Sequence, residues 1–147
     1  RMVESIAGDT ASERLLIADE DRRHQATVYE YTFSGHPTGR RIAPGTFLAE
    51  PEGIALWACN AEAGYWVVAD QLHPLTIFRV FDRGTLAPRG AFSGELVAWT
   101  DGIALHAAAT ARFPAGVLYA VHDDRAVAAF DLRDIVKALS LDPACAQ

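Results

Sequence analysis

The sequence is poor in the features that mark membrane proteins and nucleic-acid-binding proteins. No apolar run approaches the roughly 20 residues that a helix needs to cross a bilayer, so we predict no membrane span. No basic stretch followed by an apolar one is visible, so no signal peptide is recognised. Because the chain begins with Arg1 rather than Met, we expect further residues upstream. With 13 Lys and Arg against 19 Asp and Glu, the net charge is −6, which argues against binding to nucleic-acid phosphates.

Motifs of the common enzyme classes are also missing. The five histidines show no zinc-binding spacing, and no GxSxG elbow, Walker motif or GxGxxG loop occurs. The two cysteines, Cys59 and Cys145, lack a metal-type spacing, and we predict that they are unpaired, buried thiols. Half of the residues are hydrophobic and 22% are charged, which excludes a disordered chain. We predict one continuous folded domain over residues 1–147.

A short acidic motif occurs twice and, more faintly, a third time. "EPEGIALW" begins at Glu50, "TDGIALH" begins at Thr100, and the fainter "VESIAG" begins at Val3. The copies are about 50 residues apart, and self-similarity at such a period is typical of one supersecondary unit used several times.

Two runs typical of β-strands follow each copy in the same order. The first is apolar and ends in an acid (Asp19, Asp70 and Asp123), and the second alternates in character. They cover 15–21, 65–71 and 117–124, and then 26–33, 75–82 and 126–132. Units of roughly 40–50 residues with about four short strands are typical of β-propeller blades. We therefore predict an all-β fold of three four-stranded blades, at roughly 1–47, 48–96 and 97–147, which is part of a larger propeller.

One segment near the C-terminus has helical periodicity. Apolar residues at Leu132, Ile135, Val136 and Leu139 follow the spacing of one helix face, and Pro143 lies beyond the end. We predict a short helix within residues 131–141.

The repeated acids form a candidate cation site. Acids at the same position in each blade point at one another across the mouth of a propeller, and we expect this of Glu4, Glu52 and Asp101, with Glu20 and Gln71 beside them. Clustered carboxylates raise each other's pKa unless a cation neutralises them, and oxygen ligands at this density suit Ca²⁺. The alternative is that each acid makes only turn hydrogen bonds and that the repeat reflects duplication.

Five strings in fixed order resemble the β-propeller phytases, which are calcium-dependent phosphatases of inositol hexakisphosphate (phytate). The strings are "VESIAGDTASERLLIADED", "AEPEGIALW", "AGYWVVADQ", "WTDGIAL" and "FPAGVLYAVHDD". The resemblance covers nearly the whole chain and implies the C-terminal three blades of a six-bladed propeller, that is, half of it. It also implies a Ca²⁺ cofactor, a phosphorylated small-molecule substrate, and an extracellular or periplasmic location.

The resemblance assigns roles position by position. It implies catalytic roles for Glu20, Glu52 and Gln71. Glu50 and Glu95 stand where the family has Asp, and Asp123, the first Asp at the end of the last string, stands where the family pattern ends in Asp. The calcium ligands that it implies are Glu20, Glu50, Glu52, Gln71, Glu95, Asp101 and Asp123.

The sequence also departs from the family pattern. Leu72-His73 replaces a Gly-Asn pair, His36 stands in the place of an acid, and the loop around Arg125 is short. The basic residues that grip phosphate in the family belong to blades that precede this segment.

Three hypotheses follow from the sequence. In the first, the chain is half of a phytase-like phosphatase, and an N-terminal propeller half or a second copy of the chain closes the ring. In the second, it is a calcium-binding propeller module without catalysis, which binds a ligand or a protein. A lactonase- or esterase-like calcium propeller is the third, by analogy of fold alone.

Overall fold

Eleven β-strands and one α-helix follow one another in residues 2–147, the part of the chain that the computed structural model describes; Arg1 lies outside it. The strands are β1 (Val3–Asp9), β2 (Arg14–Asp19), β3 (Thr27–Thr32), β4 (Pro37–Arg41), β5 (Pro51–Ala58), β6 (Gly64–Asp70), β7 (Ile77–Asp82), β8 (Pro88–Phe92), β9 (Ile103–His106), β10 (Val117–His122) and β11 (Ala126–Asp131). Helix α1 spans Leu132–Leu139, and short 3₁₀ turns cover Arg22–His24 and Pro143–Ala146. No helix in this described part is long and apolar enough to cross a membrane.

The strands form three antiparallel sheets, each built from consecutive strands. Sheet 1 has the order β1-β2-β3-β4, sheet 2 has β5-β6-β7-β8, and sheet 3 has β9-β10-β11. The predicted all-β class and the predicted C-terminal helix are confirmed. The expected four strands of the third unit are wrong, because after β11 the chain turns directly into α1, whose N-terminus Asp131 caps by accepting from Arg133 N. The helix packs against β8 and β11.

Sheet 2 lies between the other two sheets and is apolar on both faces. Successive side chains of a strand point to opposite sides, so β6 places Trp66 in the layer shared with sheet 1 and Val67 in the layer shared with sheet 3. All seven residues of β6 are buried. This explains why "YWVVA" is continuously apolar rather than alternating.

The first strands of the three sheets lie side by side, β1 against β5 and β5 against β9. The contact between β5 and β9 is close, since a Cβ added at Gly53 would stand 2.9 Å from the amide nitrogen of Ile103. On the other side, Ile54 N donates to Ser5 Oγ at 3.2 Å. At Gly53 the missing side chain therefore lets the first strands of sheets 2 and 3 approach each other, and the acid before this glycine, Glu52, lies at the end of β5 where the chain enters the sheet.

The prediction of two unpaired thiols is wrong. Cys59 and Cys145 form a disulfide with an S–S distance of 2.00 Å. The segment after α1 folds back onto the end of β5, where Trp57 Nε1 donates to the carbonyl of Cys145 at 3.1 Å. The pairing depends on this tertiary return of the C-terminus, for which the spacing of the two cysteines offers no signal.

A buried ion pair joins sheets 1 and 2 at the end opposite the repeated acids. Arg83 donates from Nε and Nη2 to the two carboxylate oxygens of Asp9, each at 2.7 Å. These bonds hold the pKa of Asp9 down, from 3.8 to about 2. Arg83 also donates to the carbonyls of Asn60 and Ala63, so few of its N–H groups lack a partner.

Candidate metal centre

Three carboxylates from two sheets meet at the end of the inner strands. Glu20 follows β2, Glu50 immediately precedes β5, and Glu52 lies within β5. One oxygen from each lies within 4.8 Å of the others. Glu52 is buried, only 7% exposed, whereas Glu20 and Glu50 are half-buried. The structure thus brings together three of the acids that the sequence predicted as ligands.

Two further acids enlarge this group, as the predicted ring required. Glu4 in β1 and Asp101 just before β9 lie close enough for their charges to act on Glu52. Burial, followed by the charges of Glu4, Glu20, Asp101 and Glu50, raises the pKa of Glu52 from 4.5 to about 7. We call Glu4, Glu20, Glu50, Glu52 and Asp101 the acidic cluster.

Two other members of the acidic cluster have raised pKa values. Burial and the neighbouring charges of Glu4 and Glu50 raise the pKa of Glu20, whose carboxyl also shares a hydrogen bond with that of Glu4. Burial and the charge of Asp124 raise the pKa of Asp101. The raised pKa values of Glu20, Glu52 and Asp101 indicate that the cluster holds more negative charge than its surroundings neutralise.

Gln71 ties the acidic cluster to the end of β6. Its amide nitrogen Nε2 donates to Asp101 Oδ1, and its backbone N–H donates to the carbonyl of Glu50 at 3.0 Å. One residue thus fixes the positions of acids that come from two different loops. The prediction that Gln71 lies beside the acids is confirmed.

Residues at the ends of the second strands brace the loops that carry the acids. Asp19 accepts from Met2 N, and Asp70 accepts from Leu48 N and Ala49 N at 2.9 Å each. In sheet 3 the corresponding residue is His122, whose Nδ1 accepts from Ala98 N at 3.1 Å. The sequence predicted Asp123 as the counterpart of Asp19 and Asp70. In the structure His122 takes that position, one residue earlier, because β10 ends at His122 and Asp123 has a left-handed backbone, with φ of 47°.

Two predicted ligands lie apart from the three converging carboxylates. Asp123 forms an ion pair with Arg125, with Nε and Oδ2 3.3 Å apart. The next residue, Asp124, is the acid whose charge raises the pKa of Asp101. Glu95 is exposed in the loop between β8 and β9, and it is not among the residues whose charges act on Glu52.

The sequence reasoning missed one cation at the cluster. Arg22, an exposed residue of the 3₁₀ turn after β2, pairs with Glu50 at 3.1 Å. The Asp21 side chain caps this turn by accepting from Arg23 N at 3.0 Å. An Asp followed by two arginines at the end of a strand is the signal that could have indicated such a turn.

The donor set suits a hard divalent cation. The converging atoms are carboxylate oxygens, the ligand type that Ca²⁺ and Mg²⁺ prefer, and none of the three residues supplies sulfur or imidazole. The raised pKa of Glu52 independently indicates that positive charge at this place would be stabilising. The residues therefore fit the predicted Ca²⁺.

No model of a known protein family matches the chain, and no curated protein matches it significantly.

Proposed function

We propose that this chain is part of a calcium-dependent phosphomonoesterase that releases phosphate from phytate or a related phosphorylated compound. Its three sheets would be three blades of a six-bladed propeller, closed by an N-terminal half or by a second copy. The observation that carries the proposal is the convergence of Glu20, Glu50 and Glu52, with oxygens within 4.8 Å, at the shared end of the inner strands.

The acidic cluster performs the binding step in this proposal. Glu20, Glu50 and Glu52 would hold Ca²⁺, and Gln71 would keep Asp101 oriented beside them. When bound, Ca²⁺ supplies charge neutralisation and polarisation of the phosphoryl group. Without a cation the carboxylates would repel a phosphate ester, so the cluster requires metal before it can serve a polyanionic substrate.

Arg22 is the basic group that this chain offers to the substrate. It contacts Glu50 from the solvent side, and its side chain is largely exposed. A cation at Glu50 would compete with this ion pair, and the released guanidinium would then face bound phosphate as a bidentate donor. The remaining basic residues would come from the part that completes the ring.

A calcium-binding module without catalysis is the second candidate. It is favoured by Leu72-His73, which stands where the resemblance implies Gly-Asn, and by the short turn at Arg125, which follows β10 directly. In this case the acidic cluster would stabilise the propeller and bind no phosphate.

The disulfide bears on where the protein works. Disulfides persist in oxidising compartments, and the bond between Cys59 and Cys145 supports the proposed extracellular or periplasmic location.

Calcium binding and phosphate release test the two candidates separately. We expect calorimetric titration to show Ca²⁺ binding that Glu20→Gln and Glu52→Gln weaken at least 10-fold. Glu95→Gln, a matched neutralisation outside the converging acids, should leave it unchanged. Loss of binding in Glu95→Gln alone would contradict the assigned site.

The activity assay uses the chain together with the blades that complete the ring. Phosphate release from phytate should require Ca²⁺ and should disappear in Glu52→Gln. Calcium binding without phosphate release would favour the non-catalytic module.

A further inference from the structure

An exposed aromatic pair stands beside the acidic cluster. The rings of His73 and Trp99 stack with centroids 5.4 Å apart and planes inclined by 25°. His73 lies two residues beyond Gln71, and Trp99 lies two residues before Asp101. Because Gln71 donates directly to Asp101, the two loops that carry the rings meet at the edge of the cluster. We call His73 and Trp99 the aromatic platform.

Hydrogen bonds made by the residues before and after Trp99 hold its backbone in place. Ala98 before it donates to His122 Nδ1 at 3.1 Å and accepts from Asp123 N at 3.2 Å. Thr100 after it is buried and accepts from Thr76 Oγ1 at 2.9 Å. The loop that carries the platform histidine is joined to the same segment by Thr76 N, which donates to Val97 O at 2.8 Å.

Trp99 adopts a conformation that bulky residues rarely adopt. Its φ is 49°, in the left-handed region, and its side chain is 46% exposed although it is the largest apolar type. The other two tryptophans, Trp57 and Trp66, are buried in the two apolar layers. A strained backbone that presents an aromatic ring to solvent, held by fixed neighbours, is typical of a ligand contact.

We propose that the aromatic platform binds a planar ring carried by the phosphorylated ligand, so that the site prefers phosphate esters of aromatic or nucleoside groups over phosphates without a ring. The proposal rests on the proposed function in one respect, since the phosphate end needs a cation at the acidic cluster. Binding of the planar ring requires only the face of Trp99, on which His73 stacks from behind. Stacking of a base on an aromatic side chain contributes roughly 10-fold in affinity.

Binding of ATP and of inorganic triphosphate, each with Ca²⁺, tests the platform. The two probes share the phosphate chain, and only ATP carries a ring. We expect ATP to bind about 10-fold more tightly than triphosphate and to protect Trp99 from quenching by iodide, because the other tryptophans are buried. Equal affinities would overturn the proposal.

Variants assign the effect to the platform. Trp99→Ala should bring ATP affinity down to that of triphosphate, whereas Trp99→Phe should retain most of the preference. Phe33→Ala is the matched control, since Phe33 is 47% exposed and follows β3 at the opposite end of sheet 1. A preference that persists in Trp99→Ala, or an effect of Trp99→Ala on self-association alone, would overturn the assignment.

The two proposals fail separately. If ATP is preferred through Trp99 but no phosphate is released from any ester, the platform stands and the phosphatase activity does not. If phosphate is released from phytate but ATP and triphosphate bind equally, the activity stands and the platform does not.

Discussion

The protonation of Glu52 couples the stability of the fold to pH. Its pKa is raised from 4.5 in the unfolded chain to about 7 in the folded one, so the folded state without metal binds a proton more tightly. The contribution of Glu52 to stability is therefore fully present below pH 4.5 and is lost as the pH rises through about 7. By the linkage between pKa and free energy, the loss reaches up to about 3 kcal/mol.

Neutralising Glu52 should accordingly have opposite effects with and without calcium. In chelator at about pH 8, Glu52→Gln should raise the melting temperature by several degrees, because the buried charge is removed. At about pH 5 the two proteins should melt together. With saturating Ca²⁺ the wild type should be the more stable, since only it keeps the ligand. Thermal melts at both pH values measure this, and a Glu52→Gln variant that is less stable in chelator would contradict it.

The free energy of unfolding should also depend on the ion pair between Asp9 and Arg83. Arg83→Met should lower the free energy of unfolding by about 3 kcal/mol or more, because Asp9 would be left buried with its negative charge. Arg133→Met is the control, because the Arg133 side chain is 53% exposed and Asp131 can still accept from the backbone N–H of residue 133, so the loss of this pair should matter less. Urea unfolding of both variants at neutral pH measures the difference. Equal, small effects would show that the Asp9 pair contributes nothing beyond a surface contact.

At the scale of elements, the strands and the helix could be predicted from local patterns, and the exceptions depend on tertiary contacts. The runs around Val67 and Leu118 are apolar because their strands are buried, and α1 follows its apolar spacing. The site was predictable where an acid repeats before glycine, as at Glu52. The bracing role of His122 was not predictable, because a carboxylate fills the same position in sheets 1 and 2 and an imidazole fills it in sheet 3.

The C-terminal element depends on its disulfide. The bond closes a loop of 86 residues between Cys59 and Cys145 and holds the segment after α1 against β5. For a loop of that length the chain-entropy estimate is about 4.6 kcal/mol. Replacing both cysteines with serine should lower the free energy of unfolding by up to this amount.

Urea unfolding with and without reductant measures the contribution of the bond. The wild type should lose stability in reductant, and the double serine variant should not respond. A wild type that is indifferent to reductant would contradict this dependence.

The whole molecule is a stack of three sheets with two outer faces. Sheet 1 presents Ile6, 60% exposed, together with Leu15 and Ile17 of β2, and sheet 3 presents Tyr119 and Val127, the latter 66% exposed. Beside Gly53 the next inner strand packs closely, whereas beside Gly102 no atom of the described residues lies within 4 Å of an added Cβ. The packing thus leaves room for a further sheet next to sheet 3.

The isolated chain should therefore associate through these faces. Ile6→Glu and Val127→Glu should each reduce concentration-dependent association, because each places a charge on an apolar face. Thr10→Glu, which also changes an exposed residue but lies in a turn, is the control. Light scattering over a range of concentrations measures the association. A monomer at every concentration, with full phosphate release from phytate, would contradict the incomplete ring.

Since every sheet is built from consecutive strands, the sheets can form in the order in which their strands are synthesised. Sheet 1 can pair its strands as soon as they leave the ribosome, and sheet 2 can then pack on a finished surface. Cys145 follows all eleven strands of the described residues, so Cys59 stays a thiol at least until these strands have been synthesised. The disulfide would then form after the three sheets have packed against one another, and it would stabilise an arrangement that already exists.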